Sequence, residues 1–219
     1  MAKRPSCSDR TLVLATANRA KARELRALLG GIPYRVLDLT DFPSLTPPLE
    51  GAASYAENAL LKARAAAAGT SMLALADDSG IEVDALGGRP GILSARYGGE
   101  ALSDEERCVA LLRELRDVPP ERRTARYRCV VALCAPGGRQ ATTEGVVEGV
   151  LLAELRGSGG FGYDPLFSYP PLGATFAEIP PEVKHAVSHR GRAMARARRI
   201  LLEWSAEEPA ARPDEGAPS

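Results

Sequence analysis

The stretch Met72-Leu73-Ala74-Leu75-Ala76-Asp77-Asp78-Ser79-Gly80 runs from an apolar segment straight into two adjacent acids. An unbroken apolar run of this length reads as a strand buried on both faces. The acids then fall at its carboxyl end, the edge of an open α/β sheet at which ligands bind. Adjacent carboxylates repel, so the pair is costly unless a cation sits beside it. Mg2+, a hard ion held by one or two carboxylates plus phosphates, suits such a pair. Gly80 would let the chain turn sharply beneath the site. A surface turn punctuated by Ser79-Gly80 explains the same letters, so other segments have to be weighed with it.

Upstream, Thr11 to Ala15 reads as another short buried strand. It leads through Thr16-Ala17-Asn18 into a helix with the apolar stripe Ala22, Leu25, Leu28 and Leu29, ended by Gly30-Gly31. Tyr34 to Leu39 is a further strand, and Pro43 to Pro48 a loop. Ser54-Tyr55-Ala56-Glu57 matches a capping box that opens an Ala-rich helix to about Ala68. Downstream, Ile81 to Leu86 extends the strand before a Gly/Pro-rich loop through Gly91. Ser103 to Glu106 is a second capping box, opening a helix along Val109, Leu111, Leu112 and Leu115. Tyr127 to Leu133 and Gln140 to Val147, separated by Pro136-Gly137-Gly138, form a hairpin. The last helix starts near Ser188 and carries Met194, Ala197, Leu201 and Trp204 on one face. This order predicts an α/β fold with a mixed β-sheet, flanking helices and two lobes around a central cleft. Residues 1–10 read as a flexible start, 11–204 as one domain, and 205–219, rich in Glu, Pro, Ala and Gly, as a disordered tail.

The chain has 28 basic and 28 acidic residues, a balance that argues against wholesale binding to nucleic acid or anionic membrane. No uncharged stretch approaches the roughly 18–20 residues of a membrane span, and Met1 to Arg10 lacks the apolar centre of a signal peptide. Cys7, Cys108, Cys129 and Cys134 form no C-x-x-C pair, which fits a reduced, cytoplasmic protein. Cys129 and Cys134, five apart on a strand, should face opposite sides of the sheet.

Two helix starts carry the wrong charge. Acids normally occupy a helix's first turn, yet the helix after Asn18 opens with Arg19 and Lys21, and that after Ser188 with His189, Arg190 and Arg192. An anion bound there would turn each cation from a cost into a gain. Solvated surface arginines are the plainer explanation of either helix taken alone. Gly159-Gly160-Phe161-Gly162-Tyr163-Asp164-Pro165 supplies one aromatic face among glycines, suited to stacking a purine; a β-turn with a core Phe accounts for it equally well. His185 and His189 lack the Glu of an H-E-x-x-H arrangement, which argues against zinc. Neither a P-loop nor a G-x-S-x-G elbow is present.

Taken in order, these segments resemble the inosine/xanthosine triphosphate pyrophosphatase family. The matching pieces are Thr16 to Lys21, Ser54 to Ala59 with Lys62-Ala63, Ala76 to Ile81, Pro90-Gly91 with Ser94 to Tyr97, Phe161 to Pro165, and Lys184 with Ser188 to Arg190. They span about Thr11 to Trp204. The resemblance implies an elongated, two-lobed α/β fold, Mg2+ dependence and a homodimer. It implies that Thr16, Ala17, Asn18, Arg19, Ala20 and Lys21 cradle a triphosphate, and that Asp78 is catalytic base and metal ligand, with Glu50 a second metal carboxylate. Ser79, Phe161, Gly162, Tyr163, Asp164, Lys184, His189 and Arg190 would contact the nucleotide. Ala17 and Ala20 stand where the first motif usually has glycine. Alanine at φ > 0 would be strained by about 1 kcal/mol or more, whereas a helix already begun at Ala20 would accept it.

The expected reaction is attack of water on the α-phosphorus with pyrophosphate leaving, driven by positioning and charge neutralisation. Lys21, Lys184 and Arg190 would hold the phosphates, with Asp77 in reserve for the role of Asp78. A 6-oxo purine would accept from His189 or Arg190, whereas adenine's 6-amino group would leave those donors unpaired. One rival is a related pyrophosphatase for modified pyrimidine or methylated nucleotides, and another is a nucleotide-binding module without turnover.

Overall fold

Ten consecutive residue pairs join two eleven-residue strands, Leu73–Val83 and Thr124–Cys134, at the centre of the sheet, and the rest is built outward from them. The computed structural model describes residues 10–207 apart from 47, 49, 50 and 52. Its strands are β1 (Thr11–Leu14), β2 (Arg35–Asp38), β3 (Leu73–Val83), β4 (Thr124–Cys134), β5 (Gln140–Leu151), β6 (Phe167–Tyr169) and β7 (Ala174–Thr175). The helices are α1 (Arg19–Leu28), α2 (Tyr55–Thr70), α3 (Asp104–Glu114), α4 (Pro181–Val187) and α5 (His189–Glu207). The seven strands make one sheet in the order β2-β1-β3-β4-β5-β6-β7. β1 pairs in parallel with β2 and with the first residues of β3; the pairs from β3 to β7 are antiparallel. The sheet is therefore mixed, and the β4–β5 hairpin lies where the Pro136-Gly137-Gly138 turn predicts it.

The pattern of β3 differs from its expected reading. Asp77-Asp78-Ser79-Gly80 does not end the strand but lies in its middle, because β4 continues to pair with it as far as Val83. The expected ligand-binding edge survives in another form. β1 stops at Leu14, and Ala15 N makes a last bond to Leu75 O, so the β1 side of β3 loses its neighbouring strand where the acids begin. Gly80 makes no turn. A Cβ there would lie 2.2 Å from Gly91 O and 2.6 Å from Ser94 Oγ, so glycine admits a close-passing loop instead. The strand also stops at Val83 rather than Leu86, the last three residues turning as a short 3-10 helix.

Apolar side chains form three clusters. On one face of the sheet, α1 and α5 pack Leu25, Leu29, Met194, Leu201 and Trp204 against Leu12, Leu14, Leu75 and Val131. On the other face α2 lays Ala59, Ala63, Ala66 and Ala67 against Val13, Ala74, Ala76 and Ala132. Farther along β3 and β4, Leu111 of α3 and its C-cap Leu115 join Ile81, Val83, Tyr127 and Phe167. Cys129 and Cys134 sit in clusters on opposite faces, as their spacing requires. Ser103 closes a full capping box with Glu106, whereas Ser54 caps α2 by accepting from Glu57 N. The last helix starts where expected: α4 ends at Val187, Ser188 is extended, and α5 runs from His189 to Glu207, three residues past the expected boundary. Outside these three residues and Arg10, the expected flexible start and tail lie outside the described residues.

α5 crosses β5 at Gly145, where a Cβ would meet His189 O at 2.1 Å and Ala193 N at 2.6 Å. Gly145→Ala should therefore cost about 1–3 kcal/mol through displaced backbone. Gly137→Ala, at a turn with open space around the Cβ, should stay within about 0.5 kcal/mol. Urea denaturation of the two variants checks the difference.

Candidate functional site

Regular alternation along β3 sends Asp77 and Ser79 to one face and Asp78 to the other. Their partners in register agree: Asp77 lies opposite Val131 of the α1–α5 cluster, and Asp78 opposite Val130 of the α2 cluster. The repulsion expected between neighbouring acids is thus relieved by geometry, and each carboxylate meets its own cations.

Asp77 is fully buried. Its Oδ2 accepts from Arg190 Nη2 at 3.1 Å and Nε at 3.2 Å, with Lys21 Nζ at 3.4 Å. Burial alone would raise its pKa, but Lys21, Arg190 and Lys62 outweigh burial and hold it well below the ordinary carboxylate range. Arg190 Nη1 continues to Glu24 of α1 at 2.6 Å, and Glu24 also holds Lys184 of α4 at 2.7 Å. Lys184 in turn bonds Asp164 at 2.5 Å. The result is a buried chain of alternating charge, Lys21–Asp77–Arg190–Glu24–Lys184–Asp164, with three cations and three carboxylates. Burial acts to raise the pKa of Glu24, yet Arg190 and Lys184 bring it below its usual value. Burial pushes Asp164 above its usual value despite Lys184. Burial, then the neighbouring Arg190 and Lys184, push His189 well below the usual histidine range, so its ring is neutral. It stacks on Tyr127 at 4.5 Å, and its Nδ1 is buried without a hydrogen-bond partner.

The chain of charges borders a cavity of about 190 Å³ between the α1–α5 and α3 clusters. Asn18 and Lys21 enter it from the start of α1 and Ser79 from β3. Phe161, Gly162, Lys184, His189 and Arg190 close it from the other side. A second cavity of about 320 Å³ shares Phe161 and Lys184 as walls and is also bounded by Ala20, Arg23 and Glu24. Phe161 lies with its ring 4.9 Å from Lys184 Nζ and 5.4 Å from Arg190 Cζ. Tyr163 donates to Ser94 O at 2.9 Å, and Asp164 accepts from Phe161 N at 2.8 Å, so both brace the aromatic loop while lining the cavity.

The residues expected to cradle a triphosphate form the cap and first turn of α1. Asn18 caps α1, its Oδ1 accepting from Ala20 N and Lys21 N, and Thr16 Oγ1 accepts from Asn18 N. Only Asn18 and Lys21 of Thr16 to Lys21 face the first cavity; Ala17 and Arg19 are exposed, and Ala20 borders the second. Neither alanine adopts positive φ, so the missing glycines bring no strain there. The anions met by the basic starts of α1 and α5 are the protein's own Asp77 and Glu24. Four donated bonds of Arg190 go to Asp77, Glu24 and Ser79, which leaves little of it for phosphate.

Asp78 is turned to α2, where Lys62 Nζ donates to Oδ1 and Asn58 Nδ2 to Oδ2, each at 3.2 Å. It does not line either cavity, though it adjoins both Asp77 and Ser79 in β3. Glu50 lies outside the described residues. For a hard divalent ion Asp78 is one carboxylate donor on the α2 side of a strand stretch free at one edge; Asp77 faces the other way, and among the described residues no three His, Cys, Asp or Glu are grouped to hold an ion. His185 and His189 sit on different helices, α4 and α5.

Sequence reasoning missed Glu24, the carboxylate that ties Lys184 and Arg190 to α1, and Tyr127, which supports His189. It also gave Asn58 and Lys62 no role, although two polar residues at i, i+4 on the alanine face of α2 were a readable signal. Nothing in the local pattern of α1 marks Glu24, because its partners are more than 150 residues away.

A mixed α/β sheet whose two same-face cores leave a cation-lined cavity beside a strand carboxylate pair defines a class of protein that binds a polyanionic ligand at the sheet. Within that class the chain belongs to the Ham1 family, whose model matches residues 12–200. A relative from Geobacter sulfurreducens named dITP/XTP pyrophosphatase is 55% identical over 84% of this chain and 92% of its own length. One of the same name from Thermus thermophilus is 52% identical over 88% and 90%. The solved structure of a HAM1 protein from Coxiella burnetii superposes with a TM-score of 0.81 at 38% identity, covering 89% of this chain and 99% of that one. These matches agree with the resemblance and fold expected from the sequence motifs.

Asp77→Asn would take one of Arg190's two carboxylates and leave Lys21 without its own, and should cost about 3 kcal/mol. Because the pKa values of Asp77 and Glu24 are lowered in the folded protein, their stabilisation is present above the ordinary values of 3.8 and 4.5. It is lost as pH falls below them. Urea titrations at neutral and acid pH should show a steeper acid loss for the parent protein than for the variant.

Proposed function

We propose that the protein hydrolyses non-standard purine nucleoside triphosphates, ITP, dITP and XTP, to the monophosphate and pyrophosphate. The observation that carries this reading is the convergence of Lys21, Ser79 beside the Asp77-Asp78 pair, and Phe161 about one cavity. The names of the relatives in the same family support it, and the adjoining second cavity offers further room for a nucleotide.

In this reading Lys21 and Asn18 bind the polyphosphate, and Phe161 stacks the purine. Lys184 and Arg190 keep the cavity positive while Glu24, Asp77 and Asp164 fix where they point. A neutral His189 has one ring N–H and one acceptor nitrogen. It can therefore donate to a 6-oxo group or accept from the adjacent ring N–H, whereas the remaining Arg190 donor suits only an acceptor. Adenine's 6-amino group would meet that donor unpaired.

Asp78 is the catalytic carboxylate of this proposal, accepting the proton of the attacking water, with Lys62 and Asn58 fixing its rotamer. Asp78, together with Glu50 as the family resemblance implies, would hold Mg2+. When bound, the ion supplies positive charge that offsets the phosphates and acidifies water. Water attacks the α-phosphorus, the bond to the bridging oxygen breaks, and pyrophosphate departs with the electron pair. The homodimer and the cytoplasmic location belong to the same proposal; among the described residues no helix is long and apolar enough to cross a membrane.

Pyrophosphate release should be fast from ITP, dITP and XTP, slow from ATP and GTP, and abolished by chelating divalent ions. Asp78→Asn should lower kcat by about 10²–10⁴-fold with the fold intact by circular dichroism. Equal turnover of ATP and ITP, or full activity of the variant, would refute the assignment.

A further inference from the structure

Among the described residues that line the cavity, one cation is left unused by the expected site. Arg107, in the first turn of α3, lines the same cavity as Phe161, His189 and Arg190. Its Nη1 donates to Asp104 Oδ1 at 2.9 Å, and Asp104 Oδ2 accepts from Gly162 N at 2.7 Å. One carboxylate therefore anchors the guanidinium to the loop that carries Phe161.

Two features distinguish Arg107 from the other cations around the cavity. Lys184 and Arg190 are each shared between two carboxylates whose side chains are at most 13% exposed. The carboxylate paired with Arg107, Asp104, is 52% exposed, and water weakens its hold on the charge. Moreover, Arg107 Nε is buried and has no hydrogen-bond partner. A buried donor in this state is costly, and a ligand acceptor would relieve it.

We propose that Arg107 determines specificity at the purine 2-position, selecting a 2-oxo base over a 2-amino one. This rests on the cavity being the nucleotide site proposed above. Lys21 and Asn18 approach from α1, and His189 and Arg190 approach the 6-position from α5. Arg107 comes from α3, the element bonded to the aromatic loop, and so meets the base rather than the phosphates. A guanidinium has donors only. The 2-oxo group of xanthine accepts from it, hypoxanthine offers only C–H, and guanine presents a 2-amino donor to another donor. Xanthine is also the most acidic of the three bases, and its anion gains most from a fixed cation. The subsite thus ranks xanthine first and guanine last, which supplies the exclusion of guanine that a shared 6-oxo group cannot provide.

The test compares kcat/KM for XTP, ITP and GTP in the parent enzyme, Arg107→Met and Arg107→Lys. Arg107→Met should lower the XTP/ITP ratio by about 10- to 100-fold and raise the GTP/ITP ratio. Arg107→Lys should recover part of the XTP preference. A parallel fall for all three substrates would mark a phosphate or folding role, and unchanged ratios would mark no role; either overturns the proposal. If the parent protein releases pyrophosphate from none of them, the proposed reaction has failed but the subsite stays testable by calorimetry. XMP should then bind more tightly than GMP to the parent protein, with the difference lost in Arg107→Met, and equal affinities in the parent protein would overturn it.

Discussion

A buried chain of alternating charges organises this molecule. Lys21, Asp77, Arg190, Glu24, Lys184 and Asp164 come from α1, β3, α5, α4 and the aromatic loop, and each contact joins elements distant in sequence. Taking six charges out of water is expensive, and a well-packed apolar patch of equal volume would serve stability as well or better. Apolar clusters on either side carry the fold, while the charges determine how the helices present their cations to the cavity. Remove one member and each neighbour loses one of its partners, so the members are coupled rather than additive.

The second constraint is the two-residue period of a strand. Because Asp77 and Asp78 are adjacent in β3, one serves the charge chain and the other faces α2. The same two residues can therefore meet separate demands at one point of the backbone: an anchor for Arg190 and Lys21, and a carboxylate held by Lys62 and Asn58. The end of β1 leaves this part of β3 without a strand neighbour on one side, so a ligand can approach the backbone where both carboxylates originate.

Much of this was legible from residues alone. Period and turn chemistry located β1, α1, the β4–β5 hairpin and both Ser caps, because those signals are local. Of the basic residues that start α1 and α5, Lys21 and Arg190 meet carboxylates of the same protein, Asp77 and Glu24. That arrangement depends on contacts such as Glu24 with Lys184, separated by 160 residues, which no local pattern encodes. Likewise, Asp77-Asp78-Ser79-Gly80 reads as a strand end because its polar letters break an apolar run. Pairing with β4 overrides that local preference and keeps the segment extended. The short helix α4 was missed because Pro180-Pro181 at its start reads as a boundary and its seven residues hold hardly a turn of apolar spacing.

In the proposed function the charge chain shapes one polyphosphate and purine site around β3. The crystal structure of the complex with the α,β-methylene analogue of ITP tests it most directly. The account predicts the polyphosphate within hydrogen-bonding distance of Lys21, its α-phosphorus beside Asp78, and the purine against Phe161. A nucleotide bound elsewhere, or one whose phosphates lie away from Lys21 and Asp78, would contradict it.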